Sequence, residues 1–275
     1  MPRHLRRILK QVTPPFVTSI VQRKEPESIE FSGDYQSWQE AAEHSTGYDS
    51  RDILEKVRQG ALKVKRGEAA FERDSVAFEV PEYRWPLLAS LLDSFIRSRD
   101  HRLHVLDFGG SLGSVYFQHQ RFLDCVPDLQ WSVVEQPHFV QCGRNEFQDE
   151  HLSFFESIQD ALARGPVDVA LFSGVLQYLE KPYEQPTEIG SARIPSVLID
   201  RTAFTSLAKD RLAVQNVPAS IYRASYPHWL FSERKFEESM ENLGYRLVAE
   251  FADDERLATD AVYKGLYYRR AQAPE

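Results

Sequence analysis

The sequence predicts an α/β fold: a Rossmann-like, mostly parallel sheet with helices on both faces, preceded by an N-terminal helical and irregular cap. Three observations carry this. From residue 102 onward, short apolar runs alternate with amphipathic helical stretches, the pattern of strands covered on both faces. Within that region His104-Val105-Leu106-Asp107-Phe108-Gly109-Gly110-Ser111-Leu112-Gly113 reads as a strand, a glycine turn and the start of a helix. The chain then closes on a helix followed by two β-rich segments.

Taken in order, residues 1–24 form a basic amphipathic segment. Arg3, Arg6, Arg7 and Lys10 interleave with Leu5, Ile8, Leu9 and Val12. That spacing suits a helix lying in a headgroup layer, which makes peripheral contact with the inner face of a membrane one reading of the segment. A terminus that is loosely held or packed on the body is the alternative. Residues 25–98 read as the cap, with turn signals at Ser32-Gly33-Asp34, Thr46-Gly47-Tyr48-Asp49 and Arg66-Gly67-Glu68. Two helices fall within it, Asp49–Lys65 capped by Ser50, and Trp85–Ser98 with Pro86 in its first turn.

Residues 99–275 form the sheet domain. Arg102–Asp107 is its first strand and Leu112–Cys125 the helix after it. Strands follow at Trp131–Glu135, Leu152–Phe155, Val167–Phe172 and Ser196–Asp200, separated by helices at Pro137–Phe147 and Ser157–Arg164 and a helical turn at Val175–Leu179. Tyr222–Trp229 reads as a loop crowded with polar aromatics. Ser232–Leu243 is a helix opened by Ser232 and closed by Gly244 at the C′ position. Tyr245–Phe251 and Ala261–Arg270 are the last two strands.

A chain of 275 residues with net charge -8 can bury a sizeable core, and its acidity argues against a nucleic-acid partner. Its two cysteines, Cys125 and Cys142, have neither zinc-site spacing nor a disulfide framework, which fits free thiols in the cytoplasm. No ligand cluster for a metal is legible. An apolar run of about 18 residues, as a membrane-spanning helix requires, does not occur, and the N-terminus lacks the form of a secretory signal.

The ligand of the glycine turn follows from spacing. A dinucleotide turn wants glycines at positions one, three and six; counting from Gly109 the last two are Ser111 and Ser114, and from Gly110 they are Leu112 and Val115. A P-loop wants Gly-Lys-Ser/Thr, and no lysine is near. What fits is acidic-x-Gly-Gly-x-x-Gly, from Asp107 to Gly113. Glu135 ends the next strand, where a carboxylate accepts hydrogen bonds from two vicinal ribose hydroxyls. A solvated surface acid is the alternative for Glu135, and a turn without a ligand is the alternative for the glycines.

These residues resemble motif I and its ribose-binding acid in class I S-adenosylmethionine (SAM) dependent methyltransferases. Phe172-Ser173-Gly174-Val175-Leu176-Gln177-Tyr178-Leu179-Glu180-Lys181-Pro182 resembles the exit of strand four in the same enzymes. More closely, Gly33-Asp34-Tyr35-x-x-Trp38, Phe71-Glu72-Arg73-Asp74-Ser75-Val76, Leu198-Ile199-Asp200-Arg201-Thr202 and Trp229-x-Phe231-Ser232-Glu233 resemble a bacterial methyltransferase family met beside genes for cell-surface polysaccharide assembly. The resemblance implies the seven-stranded class I methyltransferase sheet, SAM as cofactor and a saccharide or glycolipid acceptor. It implies a cofactor side made of Asp107, Gly109, Gly110, Gly113, Glu135, Gln136, Phe155, Ser173 and Gly174. For the acceptor side, placement suggests Gln177, Tyr178, Tyr226 and Trp229, with Tyr35 and Trp38 of the cap closing the site or stitching the cap to the core. His228, Asp200 and Arg201 are the catalytic candidates: His228 as the side chain that titrates near neutral pH, Asp200 as a base or orienter, Arg201 as an anion binder. A packed histidine and a structural Asp–Arg pair are their alternatives. The absence of an Asn-Pro-Pro-Tyr signature favours oxygen as the methylated atom. A methyltransferase-fold protein that binds without catalysis, and a nicotinamide-dependent sugar oxidoreductase, are the competing readings.

Overall fold

The computed structural model describes residues 30–46, 50–73, 75–98, 100–217, 224–258 and 261–271. The basic segment 1–24 and Gly47, Tyr48, Asp49, Asp74, Tyr222 and Arg223 lie outside the described residues. In chain order the elements are β1 (Glu30–Ser32), α1 (Trp38–Glu43), α2 (Ser50–Lys65), β2 (Phe71–Arg73), β3 (Val76–Phe78), α3 (Trp85–Arg97), β4 (Arg102–Phe108), α4 (Ser114–Leu123), β5 (Asp128–Val134), α5 (Pro137–Glu146), β6 (Leu152–Phe155) and α6 (Ile158–Leu162). They continue with β7 (Val169–Ser173), a 3-10 turn (Leu176–Tyr178), α7 (Glu184–Ser191), β8 (Ser196–Thr205), β9 (Arg211–Val217), β10 (Ala224–Ser232), α8 (Glu233–Asn242), β11 (Tyr245–Ala258) and β12 (Ala261–Arg270).

Seven of these strands form the main sheet, in the order β6-β5-β4-β7-β8-β12-β11. The first five are parallel, and β12 runs antiparallel between β8 and β11. This is the seven-stranded, Rossmann-like sheet expected from the sequence, including the hairpin return that inserts the last strand beside the fifth. Alternation along each strand sorts the side chains into two layers. Leu103 and Val105 of β4, Trp131 and Val133 of β5, Val169 and Leu171 of β7 and Leu198 of β8 pack under α2–α5. Leu106, Val134, Ala170, Phe172, Val197 and Ile199 pack under α6–α8. Both faces are covered, which is why the strands read as unbroken apolar runs.

The termini of the helices are set locally. α4 starts at Ser114 rather than Leu112 because Ser111 and Gly113 hold left-handed conformations, with φ 56° and 90°. Ser232 caps α8, its hydroxyl accepting from Lys235 N at 3.4 Å, and Gly244 follows at φ 84°.

Three features depart from the sequence reading. β8 is ten residues long, where Ser196–Asp200 was expected. Tyr222–Trp229 is not a loop: residues 224 onward form β10, which pairs antiparallel with the unforeseen β9, and β9 in turn with β1. Pro227 argues against a strand in sequence terms, but between 224 and 230 β10 has a ladder partner on one side only. The cap also holds an unforeseen hairpin, β2–β3.

The cap is woven into the body. β1 edges the accessory sheet β1-β9-β10, α1 packs on that sheet through Ala41 against Leu212 and Val214, and α3 lies on the main sheet. β8 joins the two sheets. Its first half pairs with β7 up to Ser173↔Asp200, and its end pairs with β10 at Phe204 and Thr205. The accessory sheet therefore hangs from the carboxyl end of β8. Phe231, fully buried at this fork, packs against Phe204, Phe236 and Tyr183. Phe231→Ala should lower stability by about 3–5 kcal/mol, read from the midpoint of urea unfolding.

Candidate functional site

β4 lies where the strand order reverses, with β5 and β6 on one side and β7 and β8 on the other. Ligands of open α/β sheets bind at the carboxyl ends beside such a reversal. There Asp107, fully buried, points under the glycine turn. Trp131 Nε1 donates to its Oδ2 at 2.9 Å, and its Oδ1 has no hydrogen-bond partner. Burial, against the pull of the Trp131 bond and with repulsion from Glu135, pushes the carboxyl up to about 7.

The turn is shaped to this carboxylate. A Cβ on Gly110 would come within 2.5 Å of it, so only glycine lies flat there. Gly109, at φ 70°, could carry no side chain without meeting Val175, and its N–H is held by the carbonyl of Val134 at 2.9 Å. Gly113 begins α4 against Leu152. The space at Gly109 is thus filled by Val175, and the glycine serves backbone conformation more than ligand approach.

Glu135 follows β5, its N–H donating to the carbonyl of Phe155 at 3.0 Å. Its Oε2 accepts from Gln136 N at 2.6 Å, and the Ser111 backbone also bonds the carboxylate. Burial raises its pKa. Two bonds leave an ionised carboxylate with spare acceptor sites. Gln136 is the cap of α5, and Phe155 ends the neighbouring strand. Asp107, the turn, Glu135, Gln136 and Phe155 therefore gather at three adjacent strand ends.

Across β7 the arrangement is an ion pair. Asp200, fully buried, accepts from Arg84 Nη2 at 2.6 Å and Nε at 3.0 Å, and from Ser173 Oγ at 3.0 Å. The Arg84 backbone N–H donates to His119 Nε2 at 3.1 Å, while His119 Nδ1 meets the carbonyl of Val115 at 2.9 Å. A ring that accepts at Nε2 carries its proton on Nδ1, so His119 is neutral, and burial lowers its pKa. Asp200 pairs with Arg84 instead of Arg201, and its oxygens are committed. Arg201 holds a left-handed φ of 46° and lays its guanidinium over Gly174, 3.2 Å from where a Cβ would stand. Its charge reaches Asp107.

The remaining candidates divide over the accessory sheet. Trp229 stacks on Trp38 at 6.5 Å and gives its indole N–H to Leu179 O at 3.0 Å, and Tyr35 leans on His44. These three join α1 to one face of the sheet. Tyr226 and His228 lie on the opposite face, where Tyr178 meets their rings edge-on at 5.4 and 5.1 Å. Gln177, also buried, donates to Arg201 O at 3.0 Å. His228 does not titrate near neutral pH: its ring is fully buried, and desolvation pushes it down to about 3.

Sequence reasoning missed Arg84, His119, Glu72 and Gln215. Glu72, buried, accepts from Ser114 Oγ at 2.6 Å and from Ser75 N at 2.7 Å, tying the cap hairpin to the first residue of α4. Gln215 Oε1 accepts from the Tyr178 hydroxyl at 3.1 Å. None of these has a local sequence signal, because every partner but Ser75 and Val115 is remote in the chain. Among the described residues no group of three or more potential ligands could hold a metal ion, and no helix is long and apolar enough to cross a membrane.

Solved structures similar to this chain include the N-terminal domain of EvdMO1 in the presence of S-adenosylhomocysteine (SAH) and D-fucose, at 14% identity and TM-score 0.49, over 82% of this chain and 98% of that one. Magnesium protoporphyrin IX methyltransferase from Synechocystis PCC 6803 with bound SAM matches at 12% identity and TM-score 0.47, over 82% and 99%. The glycopeptide N-methyltransferase MtfA complexed with SAM matches at 10% identity and TM-score 0.46, over 67% and 94%. No family model and no curated protein matches the chain.

The raised Asp107 has a consequence for stability. Its folded pKa lies above the unfolded value, so the folded state holds a proton that the unfolded state releases. Wild type should therefore lose stability relative to Asp107→Asn as pH rises from about 4 to 7, by at most about 1.4 kcal/mol per pH unit, and the difference should level off above that range. Paired denaturant titrations from pH 4 to 9 check this.

Proposed function

We propose that this protein is a SAM-dependent methyltransferase that methylates an oxygen of a saccharide or glycolipid precursor of a cell-surface polysaccharide. It would work in the cytoplasm, with residues 1–24 as its contact with the membrane. The observation that carries the reading is the pairing of two acids at adjacent strand ends, Asp107 beneath the glycine turn and Glu135 beside it.

The residues fit the cofactor. Asp107 has an oxygen without a partner, which an ammonium group satisfies once the carboxyl is ionised. Glu135 keeps acceptor sites for two vicinal hydroxyls, while Gln136 and Phe155 flank it. SAM, when bound, supplies an activated methyl group. The chain then has to hold the acceptor oxygen in line and exclude water. Arg84 and Ser173 fix Asp200, and Arg201 shields Gly174, so that the carboxyl ends of β7 and β8 form a rigid floor. Transfer would break the sulfonium S–C bond, leave SAH and release the hydroxyl proton to bulk solvent, with Asp200 and Arg201 acting by position and charge and the neutral His228 by position.

One observation favours a second reading, a methyltransferase-fold protein that binds without catalysis: Asp200 is locked in an ion pair and His228 is neutral at pH 7.

Calorimetric titration tests the cofactor. SAM and SAH should bind and NAD should not; tight NAD binding would overturn the assignment. Gly109→Val, which forces a β-branched residue into a left-handed turn against Val175, should weaken SAM binding at least a hundredfold. Because Asp107 must ionise to receive the ammonium, SAM affinity of wild type relative to Asp107→Asn should drop roughly tenfold from pH 8 to pH 6, the ligand's own amine titrating alike for both. Methyl transfer to any sugar acceptor would dismiss the non-catalytic reading.

A further inference from the structure

We infer that the Tyr178 face of the accessory sheet, with Gln177, Tyr178, Gln215, Tyr226 and His228, is an acceptor subsite for an uncharged, polyhydroxylated ring. The inference rests on the methyltransferase reading and specifies its acceptor.

The register places Gln215, Tyr226 and His228 together. Tyr226, Gln215 and Phe31 stand opposite one another across β10, β9 and β1, and His228 stands opposite Ala213 in the next row. Side chains directly opposite share a face of the sheet. Tyr178, from the turn that leaves β7, lies against this row and reaches Gln215 with its hydroxyl.

The cluster contains buried polar atoms that nothing in the fold satisfies. His228 is fully buried between the edges of Phe31 and Tyr178, at 4.8 and 5.1 Å. Neither ring nitrogen has a hydrogen-bond partner beyond weak approaches of its own and Trp229's backbone. Gln177 is 1% exposed; its amide nitrogen is used on Arg201 O and its Oε1 is bonded to nothing. Unsatisfied polar groups this deeply buried destabilise a fold and persist where something else uses them. Here the two imidazole nitrogens belong to a ring packed on Tyr178, which is itself 36% exposed, and Gln177 is the residue before Tyr178 in the chain. Tyr178 is the element that can swing aside to admit a ligand to His228.

The donor and acceptor inventory names the ligand class. Gln177 Oε1 accepts. A neutral imidazole donates once and accepts once. Gln215 Oε1, released from the Tyr178 hydroxyl when that side chain moves, accepts as well. The complement is a group rich in hydroxyls, each able to donate and to accept. The rings of Tyr178, Tyr226 and Phe31 offer apolar walls to the C–H faces of such a ring. Charged groups at the rim are already engaged: Arg201 lies over Gly174, Arg211 donates to Gly33 O, and Asp200 is paired with Arg84. A carboxylate or ammonium entering beside His228 would exchange its hydration for neutral imidazole, amide and phenol groups, so the site disfavours charged sugars.

The test uses the full chain with saturating SAH, and saturation-transfer NMR with neutral methyl pyranosides (glucoside, galactoside, mannoside, fucoside) beside glucuronate, galacturonate and glucosamine. Wild type should show transfer to one or more neutral pyranosides and to none of the charged sugars. His228→Leu should abolish that transfer, leave SAH affinity within about twofold, and raise Tm by about 2–4 °C, because an apolar side chain relieves two orphaned nitrogens. A fall in Tm or failure to fold would mean that the imidazole is structural, and would overturn the inference. So would equal binding of charged sugars, or no transfer to any neutral pyranoside while SAH binds. Failure of wild type to bind SAH would count against the cofactor reading instead.

Discussion

The buried ion pair between Arg84 and Asp200 is the contact on which the layout of the site depends. Asp200 is the last residue of β8 that pairs with β7, and it is fully buried. Its carboxylate gathers Arg84 from the start of α3 and Ser173 from the end of β7, and the Arg84 backbone holds His119 of α4. Four elements thus meet at one charge. Removing either partner would strand the other in a low-dielectric interior, typically at a cost of about 3–5 kcal/mol.

From that point the sheet divides. The next residue, Arg201, turns through a left-handed conformation, β8 leaves β7, and its continuation carries the accessory sheet. A non-glycine residue held at positive φ stores strain that its surroundings must sustain. Here the surroundings are Gly174, over which the guanidinium lies, and Gln177, which binds the Arg201 carbonyl. The same kink separates two chemistries. Toward β4 and β5 lie acids, Asp107 and Glu135, with raised pKa values. Toward β10 lie neutral amide, phenol and imidazole groups among aromatic rings.

How far the sequence could be read follows from the range of the interactions. Strands β4 to β7 were legible because they are buried on both faces and their helices are amphipathic. Ser232 and Gly244 were legible because capping is local. The glycine turn and Glu135 were legible as a spacing at strand ends. The accessory sheet was not, since β1 has three residues and the aromatics and Pro227 of β10 look like a loop. Arg84 meets Asp200 across 116 positions, and no pattern near either residue announces it. His228 looked titratable from its residue type; only the tertiary fold, closing Phe31 and Tyr178 around it, makes it a neutral ring. Trp229, Trp38 and Tyr35 likewise spend their surfaces on one another and on α1.

In the proposed function the carboxyl ends of β4 and β5 hold an adenosyl cofactor through Asp107 and Glu135. A crystal structure of the protein soaked with SAH tests this most directly. Ligand density is expected over Gly109–Gly113, with ribose hydroxyls bonded to Glu135. Density elsewhere, or a ribose that leaves Glu135 bonded only to Gln136 and Ser111, would contradict it.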